Sequence, residues 1–215
     1  MKNKRRLAFY GLIALSIITL IIFVRNYPIS SFDLYVTEEI QELKRGNFPS
    51  FITFISLFGN SVVGPLSVLF ASLFFVLARR QREARYILVV LITDLLNLLI
   101  KLLVNRPRPT VEDAIIMLKF NQSGFPSGHV VHYVVFFGFL LTVMIVDKKI
   151  PWFCRIIIGV SSVVLILTIS ISRIYLGAHW ATDVFGAYLF GIFYLGILLT
   201  FYLKIPEGGP KLIQK

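Results

Sequence analysis

Six apolar stretches dominate this chain, and each is long enough, or nearly long enough, to cross a lipid bilayer. They cover residues 7–24, 51–78, 86–104, 130–146, 152–171 and 181–203. A membrane-spanning helix needs about 20 mostly apolar residues, and lipid offers no partner for unpaired backbone groups. Because the stretches lack the alternation of barrel strands, they predict an all-α integral membrane protein with six transmembrane helices.

Composition supports this class and argues against a nucleic-acid partner. The chain is 57% hydrophobic and 15% charged, whereas soluble domains carry about a quarter charged residues. The net charge of +11 would suit nucleic acid, but the basic residues flank the apolar stretches and do not alternate with aromatics. We therefore expect no nucleic-acid binding, a single membrane domain over residues 1–204, and a short polar cytoplasmic tail over 205–215.

The positions of lysine and arginine orient the predicted helices, because short cytoplasmic segments are enriched in these residues. With the N-terminus inside, the inner segments contain Lys2, Lys4, Arg5, Arg6, Arg79, Arg80, Arg82, Arg85, Lys148, Lys149, Arg155, Lys204, Lys211 and Lys215. The outer segments contain Arg25, Lys44, Arg45, Lys101, Arg106, Arg108, Lys119 and Arg173. We expect both termini in the cytoplasm and a multi-pass protein of the plasma membrane.

The connection between the first two spans carries apolar residues at helical spacing. They are Phe32, Tyr35, Val36, Ile40 and Leu43, with Glu38, Glu39 and Glu42 between them. This pattern predicts an amphipathic helix at the membrane interface, and a helix packed across the mouth of the bundle fits it equally well. In the second span, residues 59–65 include two glycines and a proline, which predict a kink or an interfacial start.

Three short motifs fall where the predicted helices meet the outer face. They are Lys101 with Arg108-Pro109, then Pro126-Ser127-Gly128-His129, then Ser172-Arg173 with His179 and Asp183. Arginine can bond two phosphate oxygens at once, and a helix start at Ser127 offers free N–H groups to an anion. A carboxylate four residues from a histidine can fix the imidazole tautomer. Singly, each motif has a simpler interpretation, such as cations reaching lipid headgroups or an ordinary helix cap.

The two histidines and the aspartate would also suit a metal ion. The three neighbouring cations would repel a metal ion, however, so we expect no metal here. We expect no other cofactor either. Together the motifs indicate a site that holds and cleaves a phosphoryl group.

The three motifs, in this order and with this spacing, resemble the signature of the type 2 phosphatidic acid phosphatase (PAP2) superfamily. Six residues separate Lys101 from Arg108, five separate Arg173 from His179, and three separate His179 from Asp183. The size and the six spans resemble the bacterial membrane branch that includes phosphatidylglycerophosphatase B and undecaprenyl diphosphate phosphatases. The six spans argue against the soluble haloperoxidases of the same superfamily.

The resemblance implies a role for each motif residue. His179 would be the nucleophile that forms a phosphohistidine, Asp183 would orient it, and His129 would protonate the leaving oxygen and then activate water. The residues implied to bind the phosphoryl oxygens are Lys101, Arg108, Ser127, Gly128 through its backbone N–H, and Arg173. No metal is needed in this scheme.

Four residues outside the signature are candidates for a supporting shell: Asp94, Asn97, Arg106 and His132. Asp94 and Asn97 lie on the helical face of Lys101, and Asp94 is expected to be paired, either tuning the site or locking two helices together. His132 is either a neighbour of the site or a packed histidine. Arg106 either reaches the second phosphate of a diphosphate or is an exposed loop arginine. We interpret the loop 110–124 as a lid or a gate for lipid.

The sequence thus predicts metal-independent hydrolysis of lipid phosphates or diphosphates at the outer membrane face. Undecaprenyl diphosphate and phosphatidylglycerol phosphate are the leading substrates, and their tails would arrive laterally from the bilayer. Two alternatives remain: a lipid phosphotransferase that uses the same phosphohistidine, and a non-catalytic protein that binds or transports phosphorylated lipids. The intact pair of His179 and Asp183 argues against the second.

Overall fold

A computed structural model describes residues 2–43, 48–117 and 123–204, and helices account for nearly all of the regular structure in these ranges. The elements are α1 (Lys2–Asn26), α2 (Ser31–Gln41), α3 (Phe48–Ser56), a 3-10 turn (Leu57–Gly59), α4 (Val63–Leu77), α5 (Gln81–Val104), α6 (Gly128–Val146), α7 (Trp152–Tyr175) and α8 (Ala181–Lys204). The described residues contain no strand, so the prediction of an all-α protein is confirmed.

Five of the described helices are long and apolar enough to cross a membrane: α1, α5, α6, α7 and α8. Residues 50–59 and 63–77 form a bent pair with an angle of 65° between the two parts, and they supply a sixth span if the pair crosses as one. The predicted kink is therefore confirmed. Asn60 is extended there (φ −63°, ψ 149°), and Pro65 lies in the first turn of α4, where a missing N–H costs no hydrogen bond.

Helix α6 lies at the centre of the bundle and packs against α5, α7 and α8. Most of its side chains are buried, whereas α1 and α7 present many apolar side chains outward. Gly191 of α8 allows a close approach of these helices, because a Cβ atom there would lie 2.7 Å from Cβ of Val134 on α6. The antiparallel order brings the ends of α5 and α7 and the starts of α6 and α8 to one end of the bundle, which we call the site end.

Helix α2 lies at the site end, against α7 and α8. Its inward face is polar, since Asp33, Thr37 and Gln41 are buried at a spacing of four residues. Phe32 and Tyr35 are more than half exposed. The helix thus packs across the bundle, as one of the two interpretations predicted, and still presents an apolar side outward. Its position at the membrane interface stays a prediction.

The loop 110–124 is attached to this helix in its first half. Gln41 donates through Nε2 to the carbonyl oxygens of Ile115 (2.8 Å) and Tyr175 (3.1 Å), and its Oε1 accepts from the Ile115 N–H (2.9 Å). Residues 118–122 lie outside the described residues, including Leu118 and Phe120, and so does the predicted tail 205–215. The lid therefore stays a prediction.

Candidate active site

Lys101 lies in the last turn of α5 and is buried. Its Nζ donates to the carbonyl oxygens of Ser123 (2.8 Å) and Gly124 (3.5 Å). Asn105 ends the helix in the left-handed conformation (φ 47°), which asparagine adopts at low cost. The chain therefore turns sharply after Lys101 and brings the following arginines back over the site end.

Arg108 lies beside the candidate nucleophile. Its Nη1 donates to the Ala178 carbonyl oxygen (2.6 Å) and lies 3.3 Å from Nε2 of His179. Burial lowers the pKa of Arg108 to about 10, and the charge of Asp183 opposes this shift. The guanidinium therefore remains a cation at neutral pH, next to one ring nitrogen of His179.

Arg173 lies in the last turn of α7 and is almost completely buried. Its Nη1 donates to Ser56 Oγ (2.5 Å), and the neighbouring Ser172 donates to the Ile52 carbonyl oxygen (2.8 Å). Both partners belong to α3, so this short helix fixes the end of α7. Arg173 is therefore held at the same end of the bundle as Lys101 and Arg108.

Helix α6 begins at Gly128, with Ser127 in the N-cap position. Ser127 makes no side-chain cap, and within the described residues its fully buried hydroxyl has no hydrogen-bond partner. The capping that the sequence suggested is therefore absent. Instead, an unpaired hydroxyl and the positive end of a helix lie together, an arrangement that favours an anion.

His129 follows in the first turn of α6 and packs against the 3-10 turn. A Cβ atom at Gly59 would lie 2.6 Å from Cδ2 and 2.8 Å from Cγ of the His129 ring. Only glycine allows the backbone to approach the imidazole this closely. The bend between α3 and α4 therefore forms one wall of the site beside His129.

His179 lies in the loop that precedes α8, and Asp183 lies in the first turn of that helix. Nδ1 of His179 is 3.4 Å from Oδ2 of Asp183, and Oδ2 also accepts the Trp180 N–H (3.0 Å). The distance of 3.4 Å exceeds a normal hydrogen bond, and catalytic contacts are often long without substrate. Burial, together with the charge of Arg108, lowers the pKa of His179 well below its ordinary value, so the imidazole is neutral at neutral pH.

Arg106 differs from both sequence-based alternatives. It is buried, and its guanidinium contacts Asp33 (2.7 Å), Asp183 (2.5 Å) and Thr182 (2.7 Å). It is therefore neither an exposed loop arginine nor available to a second phosphate. Its partner Asp33 was not among the residues predicted for the site, although the spacing of Asp33 with Thr37 and Gln41 marks one polar face of α2.

The other predicted supporting residues lie further along α5 and α6. Asp94 Oδ2 is 2.9 Å from Nδ1 of His132, so the two residues form a polar contact between these helices. Asn97 is buried, and a Cβ atom at Gly128 would lie 3.4 Å from its Nδ2. Asn97 therefore lies directly beneath the start of α6, whereas Asp94 and His132 lie about one turn deeper.

Within the described ranges, no group of three or more His, Cys, Asp or Glu side chains is arranged to hold a metal ion. The groups that converge at the site end are three cations, two imidazoles, a hydroxyl and one carboxylate. This set can hold the oxygens of a phosphoryl group and present a ring nitrogen to its phosphorus atom.

Comparisons with known proteins agree with this chemistry. The model of the PAP2 superfamily matches residues 82–206. Phosphatidylglycerophosphatase B of Bacillus subtilis (strain 168) is 35% identical over 151 residues, which cover 67% of this chain and 68% of the relative.

Two solved structures share the fold. A transmembrane PAP2-type phosphatidylglycerolphosphate phosphatase from Bacillus subtilis superposes with a TM-score of 0.77, at 19% identity, and covers 93% of this chain and 98% of its own. Aquifex aeolicus LpxE gives a TM-score of 0.60, at 22% identity, and covers 78% of this chain and 94% of its own. The family model spans more than half of the chain, and the relative is well above 30% identical, so the predicted resemblance is confirmed and this chain belongs to the PAP2 superfamily of phosphatases.

Proposed function

We propose that this protein hydrolyses lipid phosphates through a phosphohistidine formed on His179, without a metal ion. The observation that carries the proposal is the position of His179. One ring nitrogen faces the Asp183 carboxylate, and the other lies 3.3 Å from the Arg108 guanidinium. A phosphoryl group bound by Arg108 would therefore meet Nε2, the ring nitrogen that does not face the carboxylate.

The cage around this nitrogen suits a tetrahedral anion. Lys101, Arg108 and Arg173 supply positive charge from three different segments, and the Ser127 hydroxyl and the Gly128 N–H supply neutral donors. Charge spreads over the equatorial oxygens in the transition state of phosphoryl transfer, so fixed cations and dipoles lower the barrier. The buried position of these groups strengthens each interaction by excluding water.

In the first step, the lone pair of His179 Nε2 attacks phosphorus while the bond from phosphorus to the leaving oxygen breaks. His129 donates a proton to that oxygen, and Asp183 stabilises the positive charge that develops on the His179 ring. The products are a lipid alcohol, or a lipid monophosphate if the substrate is a diphosphate, and a phosphorylated His179.

In the second step, His129 is now neutral and accepts a proton from water. The water oxygen attacks phosphorus, the bond between phosphorus and Nε2 breaks, and inorganic phosphate leaves. Both residues return to their starting protonation states, so the cycle balances.

The site is proposed to face the outside of the plasma membrane, in a chain with six spans and both termini in the cytoplasm. The excess of lysine and arginine in the segments assigned to the cytoplasm supports this orientation. The substrate tails would approach laterally from the bilayer, since the phosphate cage lies at the ends of membrane helices.

Phosphatidylglycerol phosphate and undecaprenyl diphosphate are the proposed substrates. The name of the Bacillus subtilis relative supports the first. The second shares the terminal phosphoryl group that the cage would hold.

The test is phosphate release by the purified protein in detergent with EDTA present, given each lipid in turn. We expect release from at least one substrate and loss of release in His179→Ala. A radioactive phosphoryl group transferred from substrate should be recovered on the protein in an acid-labile, alkali-stable form, as a phosphorus–nitrogen bond requires.

Glu83→Gln serves as the matched control, because Glu83 is buried at the opposite end of the bundle and bonds the Tyr202 hydroxyl (3.0 Å). This control should retain wild-type activity. Hydrolysis that survives in His179→Ala would contradict the phosphohistidine, and dependence on an added divalent ion would contradict the metal-free scheme.

A further inference from the structure

The carboxylate beside His179 is held by a buried chain of charges that continues into α2. Oδ1 of Asp183 accepts from Arg106 Nη1 (2.5 Å), and Arg106 Nη2 donates to Oδ2 of Asp33 (2.7 Å). The side chains of all three residues are completely buried. The order from the site outward is therefore His179, Asp183, Arg106 and Asp33.

The two outer members of this chain of charges, Asp33 and Arg106, are tightly fixed. Asp33 accepts from the Ser30 hydroxyl (2.8 Å) and from the N–H (2.9 Å) and hydroxyl (2.8 Å) of Thr182. Arg106 also donates through Nε to the Pro28 carbonyl oxygen (2.9 Å). Because Thr182 directly precedes Asp183, Asp33 fixes the backbone at the start of α8 as well as the guanidinium.

Docking α2 against the bundle does not require these charges. A buried ion pair gains little over well-packed apolar residues of similar volume, so the choice of three charges calls for another reason. The geometry of Asp183 supplies one. Oδ2 is held by the Trp180 N–H and faces the imidazole, while Arg106 on Oδ1 fixes the plane of the carboxylate.

We propose that Asp33 and Arg106 are positioning residues for phosphoryl transfer, because through Asp183 they set the orientation of the His179 ring. This inference rests on the proposed function, since it takes His179 as the nucleophile. Asp33 lies outside the residues 82–206 that the family model matches. Helix α2 thus contributes to the chemistry without touching the substrate.

The first test is the kinetics of Asp33→Asn, which keeps the size of the side chain and removes its charge. The phosphate cage is unchanged in this variant, whereas a misplaced nucleophile can cost on the order of 100-fold in rate. We expect kcat to fall roughly 10- to 100-fold while KM stays within about threefold. Asp33→Glu restores the charge and should recover part of kcat.

Arg106→Gln adds a double-mutant cycle, since both residues act through Asp183. The double variant Asp33→Asn with Arg106→Gln should be no slower than Arg106→Gln alone, because residues in one network are not additive. Glu83→Gln is the control for the loss of a buried carboxylate elsewhere, and its kcat should equal that of the wild type.

A second readout separates positioning from simple destabilisation. Orthovanadate can take a five-coordinate form bonded to the attacking nitrogen, whereas inorganic phosphate reports on the cage alone. In Asp33→Asn, the affinity for vanadate should fall by about the same factor as kcat, and the affinity for phosphate should stay unchanged.

Three outcomes would overturn the inference. In Asp33→Asn, these are equal losses of vanadate and phosphate affinity, or values of kcat and vanadate affinity that both stay within threefold of wild type. In the double-mutant cycle, it is additive losses of kcat. A wild type that binds vanadate but releases no phosphate from either lipid would refute the proposed hydrolysis alone. The effect of Asp33→Asn on vanadate affinity would still decide the role of Asp33.

Discussion

Gly59 offers a direct test of His129 as the acid for the leaving group. A Cβ atom at this position would lie 2.6 Å from Cδ2 of the His129 ring, whereas carbon atoms pack at about 3.5 Å or more. In Gly59→Ala the ring must therefore move by about 0.9 Å. A displacement of this order costs on the order of 100-fold in rate when it affects a reacting group.

The expected loss depends on the substrate. A lipid alkoxide is a poor leaving group that needs the proton of His129, so kcat for phosphatidylglycerol phosphate should fall roughly 10- to 100-fold. The phenolate of p-nitrophenyl phosphate leaves with little help, so its release should remain fast. Dephosphorylation of His179 still needs His129 as a base, and rapid mixing should therefore show a burst of nitrophenolate followed by slow turnover.

Gly11→Ala is the matched control, because a Cβ atom at Gly11 meets nothing within 4 Å. It should show wild-type rates and no burst. Thermal unfolding in detergent checks that Gly59→Ala remains folded. Equal losses on both substrates without a burst, or no loss on either, would refute the role of His129 or the closeness of its contact with Gly59.

Further predictions concern pH and packing. Burial lowers the pKa of His179 well below its ordinary value, so the nucleophile stays neutral in weak acid, and kcat/KM for a soluble phosphate ester should persist below pH about 6.5. The pKa of Arg108 is about 10, so KM should rise as the pH increases through that value and the guanidinium loses its charge. Gly177→Ala should lower the melting temperature and reduce the free energy of unfolding by at least about 1–2 kcal/mol. The reason is that Gly177 has φ 65° and its new Cβ atom would collide with a backbone carbonyl oxygen. A melting temperature equal to wild type would contradict this. Asp94→Asn removes the charge from a contact with His132 that lies below the site, so it should lower the melting temperature slightly and change kcat by less than about threefold. A larger loss of kcat at an unchanged melting temperature would place the pair in the catalytic network.

The location of the motif residues could be predicted because helix ends alternate between the two sides of a membrane. Lys101 and Arg173 end helices that run in one direction, and His129 and Asp183 begin helices that run in the other. Any correct assignment of the spans therefore brings them to one end of the bundle. Their distances to one another could not be predicted, since these depend on how the helices pack.

The roles of Arg106 and Asp33 could not be read from the sequence, for a physical reason. Arg106 and Arg108 occur in the same Arg-Pro repeat, and nothing in that repeat distinguishes the arginine that contacts Asp33 and Asp183 from the one that lies beside His179. Asp33 lies in α2, and the sequence-based interpretation of this helix rested on its apolar residues and not on Asp33. The burial of a charged residue can be predicted only when its partner is known. The partner of Asp33 is Arg106, which lies 73 residues away along the chain.

The balance of charge at the site end leads to a last prediction. The fixed charges within and around the cage are those of Lys101, Arg106, Arg108, Arg173, Asp33 and Asp183. Even before any proton on His129 is counted, these four cations and two carboxylates leave two positive charges uncompensated in a buried site, a cost that a phosphate dianion would remove. Inorganic phosphate should therefore raise the melting temperature, since a ligand at 100 times its Kd stabilises by about 2.7 kcal/mol. Chloride at the same ionic strength is the control, and an equal shift with both salts would mean that the cage holds no phosphate.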